Sequence, residues 1–159
     1  MKKIFLLFSV YLLIIIGSGF AQQVKIVNKG KTFDNKSLYH FSKCMGYGDK
    51  SELQWLEKNN QGLYHYALLI GYGAKSSLEW LRSNDQVLYY YAKLMGYGDK
   101  SAMQWLEKNN LGFYYLGKLL GFGDKSALKW LKENNLGLYH YANFTGFGDK
   151  ASLQWLKDN

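Results

Sequence analysis

The chain has 159 residues, a formal net charge of +8 and one cysteine. This length supports a single domain with a buried core, and one cysteine excludes an internal disulfide framework. The basic excess is spread along the chain, and Arg82 is its only arginine. We therefore expect no nucleic-acid partner and only a weak preference for acidic ones.

Residues 1–21 have the layout of an export signal. Two lysines precede the apolar stretch 4–16, and small residues then lead to a cleavage site before Gln22. An uncleaved membrane anchor is the alternative, because residues 4–20 approach the length of about 17 residues that a span requires. We predict a secreted, periplasmic or cell-envelope protein, which is bound to a membrane only if this signal is not cleaved.

A repeat dominates the rest of the sequence. After a lead-in over residues 22–37, residues 38–159 contain five copies of a 25-residue unit, without insertion or deletion. Each copy carries an aromatic cluster, a Gly-aromatic-Gly segment, a tryptophan and a polar close. Regular spacing of this kind is the signature of a repeat architecture. The tryptophans are Trp55, Trp80, Trp105, Trp130 and Trp155.

The first half of each unit has helical periodicity. Leu38, Phe41, Ser42 and Met45 follow one another at i, i+3, i+4 and i+7, which places them on one face of a helix. The residue at the place of Ser42 is small in every copy, which predicts a close approach of two helix backbones. These small residues are Ser42, Ala67, Ala92, Gly117 and Ala142.

The glycine directly after the last apolar turn, Gly46 in the first copy, is predicted to end the first helix in a left-handed cap, and the second glycine, two residues on, is predicted to keep the turn tight. The second helix then runs from about Lys50 to Lys58, and an aspartate is predicted to cap its start. Ala74 breaks this pattern, and there Ser76 and Glu79 predict a capping box instead. The four equivalent aspartates do not converge as catalytic groups would. They are Asp49, Asp99, Asp124 and Asp149.

These patterns predict an all-α fold, because no segment alternates or is rich in β-branched residues as strands are. Two short helices cannot bury an apolar face alone, whereas stacked copies can. We therefore predict an α-solenoid of five stacked helix–turn–helix repeats, ~40–50 Å long at a helix spacing of ~8–10 Å. No polar capping helix follows residues 153–156, so we expect an exposed apolar edge there and an end-to-end homodimer.

The fourth copy, from Tyr115 to Leu131, resembles the Sel-like repeats of the tetratricopeptide superfamily. Its Leu-Gly pair, Gly-x-Gly turn, Asp, Ala and Trp follow the order of features in that family. The resemblance extends over residues 38–159, although the units are shorter and close with Asn-Asn. It implies a protein-interaction scaffold that has no catalytic chemistry or cofactor of its own.

The outer face of the first helix is the predicted partner-binding surface. His40 and Lys43 stand at i and i+3, so they share a face, and the copies repeat this pair as a ladder. Aromatic rings beside ammonium groups suit an acidic peptide or a glycan; the alternative is a solvated face with lysines lying along it. The predicted partner-binding residues are His40, Lys43, His65, Tyr90, Lys93, Tyr115, Lys118 and His140.

Other candidate sites have structural explanations. Cys44 takes the place of leucine or phenylalanine in the other copies, which predicts a core position. The histidines of successive repeats are predicted to lie too far apart to share a zinc ion. We therefore predict no catalytic, metal or cofactor site, and an exported non-enzymatic scaffold for protein–protein interaction. A carbohydrate- or cell-wall-binding module that uses a column of tyrosines is the alternative. These tyrosines are Tyr39, Tyr64, Tyr89, Tyr114 and Tyr139.

Overall fold

The computed structural model describes residues 33–159, which form α-helices and, within that range, no strand. The predicted all-α helical repeat is thereby confirmed, while the predicted signal at 1–21 lies outside the described residues. Among residues 33–159, no helix combines the length and apolarity that crossing a membrane requires. The helices are α1 Asn35–Tyr47, α2 Lys50–Asn59, α3 Gln61–Tyr72, α4 Lys75–Asn84, α5 Gln86–Tyr97, α6 Lys100–Asn109, α7 Leu111–Phe122, α8 Lys125–Asn134, α9 Leu136–Phe147 and α10 Lys150–Asp158.

The first helix begins at Asn35, inside the predicted lead-in 22–37. Asp34 precedes it as the N-cap, and its Oδ1 accepts a hydrogen bond from the Ser37 N–H at 2.6 Å. With this start, the chain divides into complete units of equal length. They are 35–59, 60–84, 85–109, 110–134 and 135–159.

The turn within each unit forms in the predicted segment, but the prediction that its first glycine ends the helix is wrong. Gly46 lies inside α1, and the second glycine, Gly48, takes the left-handed conformation. The glycine after each odd-numbered helix has φ between 63° and 70°, a left-handed conformation that favours glycine. Asp49 caps α2, and its Oδ1 accepts from the Ser51 N–H at 3.0 Å. The predicted capping box of Ser76 and Glu79 is wrong: Ala74 is the N-cap of α4, and no side chain caps this helix. Glu79 instead lies 3.7 Å from Arg82.

The odd-numbered helices form an inner layer in which each packs against the next, and α9 packs against α1. The even-numbered helices form an outer layer. Each packs against the inner helix of its own unit and that of the following unit, and α10 packs against α1 in the same way. The two ends of the solenoid therefore meet, so residues 33–159 form a closed ring of five units.

The contacts that close the ring reproduce the internal ones. A Cβ on Gly137 would meet the side chains of Leu38 and Asn35, as one on Gly112 would meet those of Leu138 and Asn135. In the same way, the ring of Phe41 lies 5.6 Å from that of Tyr66 in the next unit and 5.9 Å from that of Tyr141 in the last. The closure is therefore one more copy of the repeat interface.

Closure corrects the expectation of an exposed apolar edge at residues 153–156. Leu156 is 0% exposed because α10 packs against α1. The first unit thus takes the place that a sixth unit would occupy in a longer stack. The first unit buries the apolar side of the last unit within the same chain. The end-to-end homodimer remains a prediction, but this edge no longer supports it.

Side chains fill the centre of the ring. Two apolar or aromatic side chains from each inner helix line a residual cavity of about 10 Å³, close to the least volume that holds one water molecule. Phe33 packs on Phe113 at 4.6 Å between ring centroids. At Gly117, one of the predicted small positions, a Cβ would lie 2.6 Å from the Leu94 side chain, so a neighbouring side chain packs against this helix. The close approach of two backbones remains a prediction. The described ring is therefore packed through its centre.

Candidate functional site

The predicted partner-binding rings lie between the two helices of their own unit. His40 stacks on Trp55 with ring centroids 3.7 Å apart, and Tyr90 stacks on Trp105 at 4.2 Å. One face of each ring is therefore covered by a tryptophan, and the ring is only partly exposed. The same stacking joins His65 to Trp80, Tyr115 to Trp130 and His140 to Trp155.

The lysines of the predicted ladder are paired within the chain. Lys93 Nζ lies 2.7 Å from Asp99 Oδ2, and Lys118 Nζ lies 2.7 Å from Asp124 Oδ2. The Lys118 ammonium, helped by hydrogen bonds from Ser126, lowers the pKa of Asp124 to about 2. An acidic partner would have to displace these carboxylates before it could reach the ammonium groups.

The second unit lacks both members of this ion pair. Leu68 stands at the lysine position and Ala74 at the aspartate position. In the fifth unit Asn143 replaces the lysine, while Asp149 remains as the helix cap. A lysine therefore occurs at this position only in units that also have the turn aspartate. This indicates that the ion pair stabilises the turn.

A second pairing joins the residue at the place of His40 to the residue 12 positions later. His65 Nδ1 lies 3.2 Å from Ser77 Oγ, and His140 Nδ1 lies 2.9 Å from Ser152 Oγ. Where the ring is tyrosine, as at Tyr90 and Tyr115, the facing residue is alanine instead. Burial lowers the pKa of both His65 and His140, so their imidazoles are mainly neutral at pH 7. These two histidines do not supply the ladder with positive charge.

Glu52 is the facing residue of the first unit and the one carboxylate at this position. Its side chain is buried and contacts both His40 Nδ1 and Lys43 Nζ. Burial opposes ionisation, but the hydrogen bonds from Lys43 and His40 outweigh it and lower the pKa of Glu52. Cys44 is buried nearby, as predicted, and burial raises the pKa of its thiol. This cluster stabilises the first unit.

We expect Glu52→Ala to destabilise the fold by about 1–3 kcal/mol, because it leaves the buried side of His40 without its partner. The double variant His40→Tyr, Glu52→Ala should recover most of this loss, since it copies the Tyr90 and Ala102 pair of the third unit. Lys43 can then pair with Asp49, which already lies 3.5 Å away. Urea unfolding of the three chains checks this. Equal stabilities of the single and double variants would contradict it.

The same cluster predicts a pH dependence. The folded-state pKa of Glu52 is below its unfolded value, so its contribution to stability is present above the unfolded pKa of about 4.3 and is lost as pH falls through the folded value. The wild type should therefore lose more stability than the double variant between pH 6 and pH 3. If the urea midpoints of the wild type and the double variant decreased equally over this range, the contribution assigned to Glu52 would be contradicted.

The tyrosines of the predicted sugar-binding column are only partly exposed. Tyr39 lies edge-on to His40 at 5.3 Å, and the Lys43 ammonium lies 5.7 Å from the centre of the Tyr39 ring. Lys118 covers Tyr114 in the same way at 5.7 Å. A sugar that stacked on these rings would have to displace these ammonium groups.

Among residues 33–159, the most exposed aromatic side chains lie elsewhere, in the Gly-aromatic-Gly turns. All five turns join an inner helix to its outer partner, so they lie at one end of the ring. We call this end the turn face; it comprises residues 45–50, 70–75, 95–100, 120–125 and 145–150. Its aromatic residues are between 57% and 72% exposed. They are Tyr47, Tyr72, Tyr97, Phe122 and Phe147.

The turn face also has an apolar inner rim. Met45, Ile70, Met95 and Leu120 stand at the last turn of the inner helices, and each is partly exposed. Neighbouring units bring these residues together; for example, a Cβ on Gly71 would lie 3.6 Å from Met45 Cε. Apolar residues therefore occupy the rim in four of the five units, and Thr145 takes this place in the fifth.

Sequence reasoning missed the turn face, because the aromatic residue between two glycines was interpreted only as part of a turn. The signal was available, since a turn needs glycine but does not need an exposed aromatic residue in all five copies.

Comparisons with protein families, curated proteins and solved structures give no match.

Proposed function

We propose that this protein is a non-enzymatic binding ring, which the sequence predicts to be exported, and that it holds its partner against the turn face. The observation that carries the proposal is the set of five exposed aromatic residues at one end of the ring. Exposed apolar surface of this extent costs solubility and marks interaction sites. The axial cavity of about 10 Å³ is too small for a substrate, which supports a surface-binding role.

The first-helix surface, with Tyr90 and Lys93 as its central pair, is the second candidate for binding a protein or peptide. A partly exposed ring beside an ammonium group favours it, as at Tyr115, where Lys118 Nζ lies 5.9 Å from the ring centre. The covering tryptophans and the intramolecular Lys–Asp pairs count against it, because a partner would gain little contact area and would have to break existing ion pairs.

Site-specific photocrosslinking in the producing cells distinguishes the two surfaces. A photoreactive phenylalanine analogue replaces Tyr97 on the turn face, Tyr90 on the first-helix surface, or Gln104 on the exposed side of α6 as a control. We expect adducts from position 97 and not from position 104. Adducts from position 90 alone would transfer the function to the first-helix surface, and adducts from none of the three would contradict a binding role.

A further inference from the structure

The charges of the turn face indicate what it binds. A lysine stands at the first position of every outer helix and is exposed in all five units. The helix dipole disfavours a cation at this position, so helix stability does not explain five lysines there. None of them forms an ion pair with another described residue. They are Lys50, Lys75, Lys100, Lys125 and Lys150.

The opposite end of the ring has a different character. The last turns of the outer helices mix both signs, as in Glu57 with Lys58 and Glu107 with Lys108. Only two large apolar residues, Leu111 and Leu136, are strongly exposed there among the described residues.

The turn face also carries Asp49, Asp99, Asp124 and Asp149, but Lys43, Lys93 and Lys118 pair with three of them. The five first-position lysines therefore leave this face with an excess of positive charge. Among residues 33–159, it is the end of the ring where such lysines stand beside strongly exposed aromatic rings.

Ring closure makes this face flat. Five equivalent turns around one axis place their aromatic residues at nearly one level, so they can contact a plane together. A protein partner would need matching symmetry or would leave some turns unused, whereas a lipid surface needs neither. Exposed tyrosine and phenylalanine with flanking lysines are also the side chains that suit the interface of an anionic bilayer.

The geometry points to an anionic phospholipid bilayer as the partner of the turn face. This inference rests on the proposed function of that face. The tyrosine and phenylalanine rings enter the headgroup region, the apolar rim follows at the centre, and the lysines contact lipid phosphates around them. Binding is peripheral and does not depend on the segment 1–21.

Vesicle binding by the full chain tests this inference. An environment-sensitive dye is attached to a cysteine at position 97 on the turn face or at position 104 on the outer layer, in a Cys44→Ala background. Vesicles of phosphatidylcholine with 30% phosphatidylglycerol, a composition chosen for its negative surface charge, should shift the emission of the dye at position 97 to the blue. The dye at position 104 should not respond, and pure phosphatidylcholine should give little shift.

Two charge-matched triple variants provide the control. Lys50, Lys100 and Lys150 changed to Gln should weaken binding on the order of a hundredfold, at about fivefold per lysine. Lys58, Lys108 and Lys157 changed to Gln remove the same charge from the other ends of the same helices and should leave binding nearly unchanged. Equal losses of affinity in both triple variants would overturn the inference, because they would indicate only electrostatic attraction between the basic protein and the vesicle, without a defined binding face.

The aromatic residues have a matched control as well. Tyr72→Ser with Tyr97→Ser should abolish the dye response of a label at position 47, while Leu111→Ser with Leu136→Ser should not. If no variant of the full chain responds to anionic vesicles but position 97 still crosslinks to a protein in cells, the lipid inference fails and the binding ring stands. If neither response occurs, both fail.

Discussion

Head-to-tail cyclisation of residues 35–159, with Asn159 joined directly to Asn35, is expected to stabilise the fold by about 3–5 kcal/mol. The new junction copies the Asn-Asn junctions at 59–60 and 134–135. Asn159 is already placed for it, because its Nδ2 donates to the Trp155 carbonyl oxygen at 3.0 Å, as Asn134 Nδ2 donates to that of Trp130 at 2.8 Å. The gain comes from the lower conformational entropy of the closed unfolded chain.

Urea unfolding of the cyclic and linear forms of 35–159 measures this gain. A solenoid with separated ends would give the opposite result: a cyclic chain less stable than the linear one, or ligation into dimers in place of cyclic monomers.

The second large effect concerns the last helix. Leu156→Ala should destabilise the fold by about 2–5 kcal/mol, as much as Leu81→Ala in an internal unit, because both side chains are 0% exposed. In an open stack the terminal leucine would have a neighbour on one side only. Urea unfolding compares the two variants, and Leu111→Ala on the exposed surface serves as the control. A loss below about 1 kcal/mol for Leu156→Ala, against a full loss for Leu81→Ala, is incompatible with closure.

Local structure was predictable because each unit repeats the same signals. The apolar spacing at Leu38, Phe41 and Met45 defines a helix, and Asp49 marks the start of the next one. The end of the first helix was placed at Gly46, two residues before the left-handed Gly48, because both glycines offer the same signal. The start of the first helix was missed by three residues, because the cap at Asp34 stands outside the repeated pattern.

Ring closure was not predictable from one unit, since it depends on the angle between neighbouring units. That angle is set by contacts such as Gly117 against Leu94, which differ in detail from copy to copy. A related signal was nevertheless present: the last unit carries the same apolar positions as the internal units. Such an end can associate with another chain or with the first unit of its own chain. The intramolecular contact wins because the first unit is always at a high effective concentration.

The predicted partner-binding surface was incomplete for a similar reason, because contacts between helices cannot be inferred from one helix. His40 and Lys43 do share a helix face, but their neighbours Trp55 and Glu52 come from the second helix. An alignment of the five copies would have revealed part of this, because histidine occurs where the residue 12 positions on is polar and tyrosine where it is alanine. The level arrangement of the exposed turn residues, in contrast, follows only from closure.

Distances between spin labels test closure most directly. Pairs are placed at positions 50 and 75, 50 and 100, and 50 and 150, in a Cys44→Ala background, since all these turn-face lysines are exposed. A closed ring predicts equal distances for 50–75 and 50–150, with 50–100 longer than either. A distance for 50–150 that is the longest of the three, near the ~40 Å of four helix-pair steps in an open stack, would contradict the ring and the flat binding face derived from it.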